Sequence, residues 1–286
     1  HKLEVRILPL HLDDALNVVR RYHDYYGYNT IKQYLSGDRT TRQWMSMAAR
    51  QIGVTPTTEG VDMKTMVTQV VDGFSLEHLL PHFPLYKDVV ELMAASGSFY
   101  DATVIVGTGP RAEYYWWTRT DVHDDAKVRR FTPHDILDRA TRRTDWYIDD
   151  DFYFAEHAKD LRKIVEAGGK VTVGSHGEMQ GISFHWELWN IQSGGMDELD
   201  ALRSATLFGA QGIGFEQDLG SITEGKLADI LVLNEDPLAD IRNTTSLRWV
   251  MKNGVLYDAD TLDSAWPVQR ELPRMYWQTT DPVERR

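Results

Sequence analysis

The feature that most limits how this chain can fold is a rhythm in its first third: an amphipathic helical stretch, a glycine, a short extended run, then a charged or imidazole side chain. From Asp13 to Tyr25, Leu16, Val19 and Tyr22 or Tyr26 recur at helical spacing, and Gly27 stops the pattern. Tyr28 to Ile31 is extended and ends in Lys32. The spacing then predicts a helix over Thr40 to Gln51, stopped by Gly53, and a strand over Val54 to Thr58 that ends in Glu59. Met63 to Asp72 reads as a helix, and Gly73 to Leu76 leads into Glu77 and His78. Leu85 to Ser96 is a further helix stopped by Gly97, and Phe99 to Val106 reads as a strand broken at Gly107.

Alternation of this kind predicts βα units around a mostly parallel sheet. Lys32 to Glu59 is 27 positions and Glu59 to His78 is 19, against roughly 30 residues per unit in an eightfold barrel. The polar residues fall at strand C-termini, where a β/α barrel assembles its chemistry. An open doubly wound sheet fits the rhythm too, but does not obviously gather four such positions around one point.

The densest polar stretch is VTVGSHGEMQGISFHWE, Val171 to Glu187. It reads as a buried strand, Val171 to Val173, delivering Ser175, His176 and Glu178 into a pocket, with His185 and Glu187 just beyond. The bland alternative is a polar loop whose histidines are satisfied locally. Before it, the rhythm is interrupted by an insertion bearing Tyr114 to Trp117, Trp146-Tyr147 and Phe152 to Phe154, with helices predicted over Pro133 to Arg143 and Ala155 to Ala167. Such an insertion suits a lid or substrate wall, and equally a docking surface. After it, Met196 to Leu207 reads as a helix. From Gly220 short strands appear at Ile230 to Leu233 and Leu247 to Lys252, and Asn253-Gly254 before Val255 is a strong hairpin signal.

Composition removes several function classes. The 286 residues are 42% hydrophobic, enough for one large core or a core plus a satellite. A net charge of -12 without a basic cluster argues against nucleic acid. The absence of cysteine excludes thiolate catalysis, disulfides and Cys-ligated zinc, and no apolar run is long enough for a membrane span. The start, His1-Lys2-Leu3-Glu4, resembles neither a signal peptide nor a natural initiator, so the expectation is a piece of something longer.

Without thiolate, imidazole and carboxylate are what a divalent metal such as zinc takes, which makes Lys32, Glu59, His78 and His176 a candidate ligand set. A desolvated lysine can add carbon dioxide to become a carbamate able to bridge two metals. Taken singly, Lys32 reads as a snorkelling lysine, His78 as a satisfied core histidine and Glu59 as a loop carboxylate. Their equivalent places in consecutive units give them weight together.

At this point the chain resembles the amidohydrolase superfamily, in particular its imidazolonepropionase-like branch, often joined to a TolB-like or tricorn-like propeller. The residues that carry the resemblance are IKQYL (Ile31 to Leu35), TTEG (Thr57 to Gly60), LEHLLP (Leu76 to Pro81), HWELW (His185 to Trp189), GGMDELDALRSAT (Gly194 to Thr206), LGSITEGKLADILVLNEDPL (Leu219 to Leu238), IRNT (Ile241 to Thr244) and VMKNGVLYDADTL (Val250 to Leu262). The resemblance implies an α/β fold: strands four to eight of a (β/α)8 barrel over residues 1–218, part of a small β-sandwich over 219–262 and a surface tail over 263–286. It implies that Lys32 is the carboxylated lysine of the fourth strand, that Glu59 replaces the histidine of the fifth, and that His78 is the histidine of the sixth. His176 replaces the aspartate of the eighth strand, which holds metal and takes the proton of the nucleophilic water, and Glu178, His185 and Glu187 are candidates to orient it or share proton transfer.

The family's His-x-His pair occurs nowhere in this sequence. The expectation is therefore an N-terminal portion of the same protein, as a separate or cleaved polypeptide and possibly with a propeller, completing a shared site with one or two zinc-like ions. An oligomer is expected as well, with a periplasmic or secreted location favoured by the resemblance. The function expected is hydrolysis of an amide, lactam or peptide-like C–N bond by metal-activated hydroxide. The alternative is a non-catalytic binding or assembly module that keeps the fold.

Overall fold

The computed structural model describes residues 9–34, 37–60, 62–80, 82–107, 109–142, 145–177 and 179–278. The predicted rhythm is realised: α1 (Leu12–Arg20), continued by a π-turn at Arg21–Tyr25, leads to β1 (Thr30–Gln33), and α2 (Arg39–Ile52) to β2 (Thr55–Thr58). Then α3 (Met63–Val71) precedes β3 (Ser75–Glu77), and α4 (Lys87–Ser96) precedes β4 (Phe99–Asp101). Side chains open the helices and glycines close them. Asp38 and Asp62 each accept a backbone N–H three residues on, at 2.8 Å. Gly53 and Gly97, at φ 90° and 73°, take the left-handed turn that ends α2 and α4.

In the insertion lie α5 (Ala112–Trp117), α6 (Ala126–Phe131) and α7 (His134–Thr141). Next come α8 (Phe154–Glu166), β5 (Lys170–Thr172), α9 (Ile182–Gln192), α10 (Glu198–Ala205) and α11 (Leu207–Gly212). The five strands pair in parallel in the order β1-β2-β3-β4-β5. Strictly sequential order is barrel connectivity. A doubly wound sheet reverses direction at a switch point, and none occurs among the five described strands.

Register sorts the side chains into two faces. Gln33, Thr58, Leu76, Tyr100 and Val171 lie side by side across the sheet and are all buried. Leu76, Tyr100 and Val171 join Leu161, Ile164, Leu188 and Ile191 of α8 and α9 in the main core. Because side chains alternate along a strand, Lys32, Thr57, Glu77, Asp101 and Thr172 share the opposite face.

The strand predicted over Phe99 to Val106 stops at Asp101. Thr103 takes a left-handed conformation (φ 45°), and Val104–Val106 form a 3-10 turn. The stretch from His185 to Glu187, expected just past a strand-end pocket, lies inside α9. The aromatic insertion turns inward at Trp116 and Trp117, whereas Tyr147 and Tyr153 stay exposed. Trp116 and Trp117 pack with Ile105, Leu137, Met179 and Trp186 in a separate core, and Trp116 Nε1 donates to Asn190 Oδ1 at 2.8 Å. Trp146 remains almost fully exposed.

The second sheet is antiparallel: β6 (Ile230–Leu233), β7 (Leu247–Lys252), β8 (Val255–Asp258) and β9 (Ser264–Trp266), in that order. Asn253-Gly254 makes the predicted hairpin between β7 and β8. The described residues form one four-stranded sheet, without a second stacked layer, and it runs on into the tail through β9.

Candidate functional site

A line of charge crosses the C-terminal ends of β1, β2 and β3. Lys32 Nζ lies 2.6 Å from Glu77 Oε2 and 3.1 Å from Glu59 Oε2, and the same Glu59 oxygen is 2.8 Å from His78 Nε2. Thr57 Oγ1 donates to Glu77 Oε1 at 2.5 Å, and Tyr34 donates to Glu59. The His78 ring meets that of His176 edge to face, with centroids 5.4 Å apart. Residues drawn from three strand ends and the loop after a fourth thus converge, as barrel topology requires.

The backbone here is strained in a patterned way. His78, Thr103 and His176 have φ of 68°, 45° and 48°, three of the five non-glycine residues with positive φ in the described chain. Each stands just beyond a strand end. Concentrations of such conformations mark sites where side-chain direction is fixed at the expense of local comfort.

Burial opposes the charge on Lys32, yet hydrogen bonds to Glu77 and Glu59 outweigh it and hold the ammonium above its ordinary pKa. Burial likewise disfavours charge on Glu59, and the donors Tyr34 and Lys32 overcome it, keeping the carboxylate ionised below its usual range. His78 is pushed down, first by burial and then by Lys32 and His176, against the pull of Glu59. Its Nε2 faces the Glu59 carboxylate, which can only accept, and its Nδ1 lies 2.6 Å from Thr103 Oγ1.

Two participants were hidden from sequence reasoning. Glu77, directly before His78, binds Lys32 through one oxygen and Thr57 through the other. Asp101, paired in register with both Glu77 and Thr172, has its pKa pushed up to about 6, first by burial and then by the charge of Glu77. Its Oδ1 is buried without a hydrogen-bond partner. The available signal was the final residue of Phe-Tyr-Asp after a glycine-stopped helix, obscured by reading the strand through to Val106.

Of the candidates drawn from sequence, Lys32, Glu59, His78 and His176 come together. His185 does not join them. It sits in α9 with Nδ1 3.1 Å from Thr244 Oγ1, and burial, with a smaller contribution from Lys127, lowers its pKa to about 4. Glu178 lies outside the described residues. The donor types suit a divalent cation, and one cation, the Lys32 ammonium, already lies between two of the carboxylates. Among the described residues, however, no three His, Asp or Glu side chains are drawn together as a metal cage. The raised pKa of Lys32 is also the opposite of what carbamate formation requires.

Sequential parallel strands with a charged cluster at their C-terminal ends define an α/β chain of the barrel type. Residues 43–256 match the amidohydrolase family, and the chain belongs to it. That match singles out neither the imidazolonepropionase-like branch nor a propeller fusion. No curated protein sequence matches the chain.

Among solved structures, a Xaa-Pro dipeptidase with methionine bound in its active site shares the fold with a TM-score of 0.59 at 23% identity, covering 86% of this chain and 58% of that one. Molinate hydrolase gives 0.62 at 18%, covering 93% and 58%, and the ochratoxinase of A. niger gives 0.59 at 21%, covering 87% and 55%. The chain thus spans somewhat over half the length of these structures.

Proposed function

We propose that this chain takes part in metal-dependent hydrolysis of an amide, lactam or peptide-like C–N bond, with Glu59, His78 and His176, which the described residues do not draw into a cage by themselves, contributing ligands to a divalent metal, most simply zinc, in a site completed by a further polypeptide. The observation that carries the reading is the shared oxygen of Glu59. It accepts from Lys32 and from His78 Nε2 at the strand ends, in a chain of the amidohydrolase family, with His176 beside them. A metal bound there would supply the Lewis acidity that activates water and polarises the scissile carbonyl.

The chain's own residues do the rest. Thr103 holds the His78 ring so that Nε2 faces the site. Glu59 and Glu77 bring two carboxylates together, and Lys32 offsets one of their two charges. His176, exposed beside His78, would pass a proton between the reacting group and water in this reading wherever it does not itself hold the metal. The finer form of the reading, a Lys32 carbamate bridging two ions, requires that amine to leave both carboxylates. A polypeptide carrying the earlier barrel strands and a His-x-His pair is the partner proposed. In support, β1 has a strand neighbour on one side only among the described residues, and a cleft of about 510 Å³ runs along it past Tyr22, Tyr28, Tyr34 and Met45.

The test is metal content by inductively coupled plasma mass spectrometry on protein isolated without chelator, with any co-purifying polypeptide identified. It is paired with hydrolysis assays on dipeptides and N-acyl amino acids. The expected result is bound zinc-like metal that is depleted, together with turnover, in His78→Ala and Glu59→Ala. Metal retained in both variants would remove the assignment. A second reading, a binding module that keeps the fold, is favoured by the Lys32 ammonium bridging Glu59 and Glu77 where a metal would otherwise lie. Metal-free, inactive protein in the presence of its partner would select it.

A further inference from the structure

We infer that Glu187, fully buried in α9, positions His78 by fixing the turn that carries Thr103. Both of its carboxylate oxygens are engaged: Oε1 accepts the Val104 N–H at 2.7 Å and Oε2 the Ile105 N–H at 2.6 Å. Successive N–H groups of a strand point in opposite directions, so one carboxylate can take two neighbouring ones only if the chain turns. The extended run ends at Asp101, Thr103 is left-handed and Val104–Val106 turn, the conformation in which one carboxylate reaches both groups.

The turn holds His78 at two points. The Asp101 carbonyl accepts the His78 N–H at 2.7 Å, and Thr103 Oγ1 is 2.6 Å from Nδ1, leaving Nε2 to face Glu59 at 2.8 Å. A hydroxyl both donates and accepts, so Thr103 can hold the ring whichever nitrogen carries the proton. Glu187 is therefore a positioning residue, acting through the segment between Asp101 and Ile105 on an imidazole that it does not itself touch. This stands on the proposed function only for what His78 is positioned to do.

The test is nitrogen-15 NMR of histidine-labelled protein, read at the His78 ring, with amide hydrogen exchange at Val104 and Ile105. Compared above about pH 8, where the wild-type group is ionised, Glu187→Gln keeps size but loses one acceptor. It should speed exchange at one of those amides by about tenfold, the loss of one strong hydrogen bond, and move the His78 ring shifts from one tautomer towards a mixture. Thr103→Val should change the His78 shifts in the same way while both amides stay protected, and Thr103→Ser should restore them. If Glu187→Gln does not fold, Glu187→Asp, one methylene shorter, takes its place.

Unchanged His78 shifts in a folded position-187 variant with faster amide exchange would reduce Glu187 to a structural role and overturn the inference. Unchanged shifts in Thr103→Val would overturn it whatever happens at position 187. Metal content does not enter these readings, so failure of the hydrolase assignment and failure of the positioning role are separately visible.

Discussion

Gly174 lies against the carboxylate of Asp101: a Cβ at position 174 would stand 2.3 Å from Oδ1 and 2.4 Å from Oδ2. The loop that carries His176 is therefore threaded past a half-buried acid on the neighbouring strand. Gly174→Ala should destabilise the fold by about 1–3 kcal/mol, the usual cost of forcing atoms into filled space. It should also displace His176 from His78. Urea unfolding of Gly174→Ala, Asp101→Ala and the double variant checks this, because removing the carboxylate should restore most of what the alanine costs.

Lys32 is the only cation recorded between Glu59 and Glu77 among the described residues. Lys32→Met leaves two facing carboxylates and should lower stability at pH 7 by on the order of 1 kcal/mol, since the site is part-exposed and water screens it. Glu59 has a depressed pKa, so its contribution is present above its ordinary value of 4.5 and is lost as pH falls through the folded value. Lys32→Met should flatten that acid-side loss in urea midpoints measured against pH.

Burial raises Glu187 to about 8 despite the two N–H groups that favour its carboxylate. A raised acid stabilises fully below its ordinary 4.5 and loses that contribution as pH rises to about 8. Stability should therefore decline across that window, and the decline should vanish in Glu187→Gln, whose amide does not titrate. An unchanged slope in the variant would assign the decline to another group.

His185 has the opposite sign. It is held neutral by burial, with its pKa lowered from 6.5 to about 4, so its contribution is present above 6.5 and lost as pH falls to about 4. His185→Gln should flatten the acid limb of the stability profile over that range. The same substitution should leave Lys32, Glu59 and His78 undisturbed, because His185 bonds Thr244.

Much of this architecture is legible in local sequence. Periods of two and 3.6, glycine stops and the Asn253-Gly254 turn each depend on a few neighbouring residues, and the elements as far as Gly97 fall close to where those signals put them, whereas no such signal predicts α5, α6 and α9. The convergence of Lys32, Glu59, His78 and His176 was also inferable, because equivalent ends of successive parallel strands must lie together. Only the tertiary structure could decide the rest. The pairing of Glu187 with Val104 and Ile105 spans more than 80 residues and converts an apparently continuous strand into a turn. The charge state of Lys32 depends on which carboxylates meet it, and the close fit around the Asp101 carboxylate on a loop 73 positions away at Gly174. Periodicity reports which face a side chain takes; the partner it meets across that face is fixed only when distant segments pack.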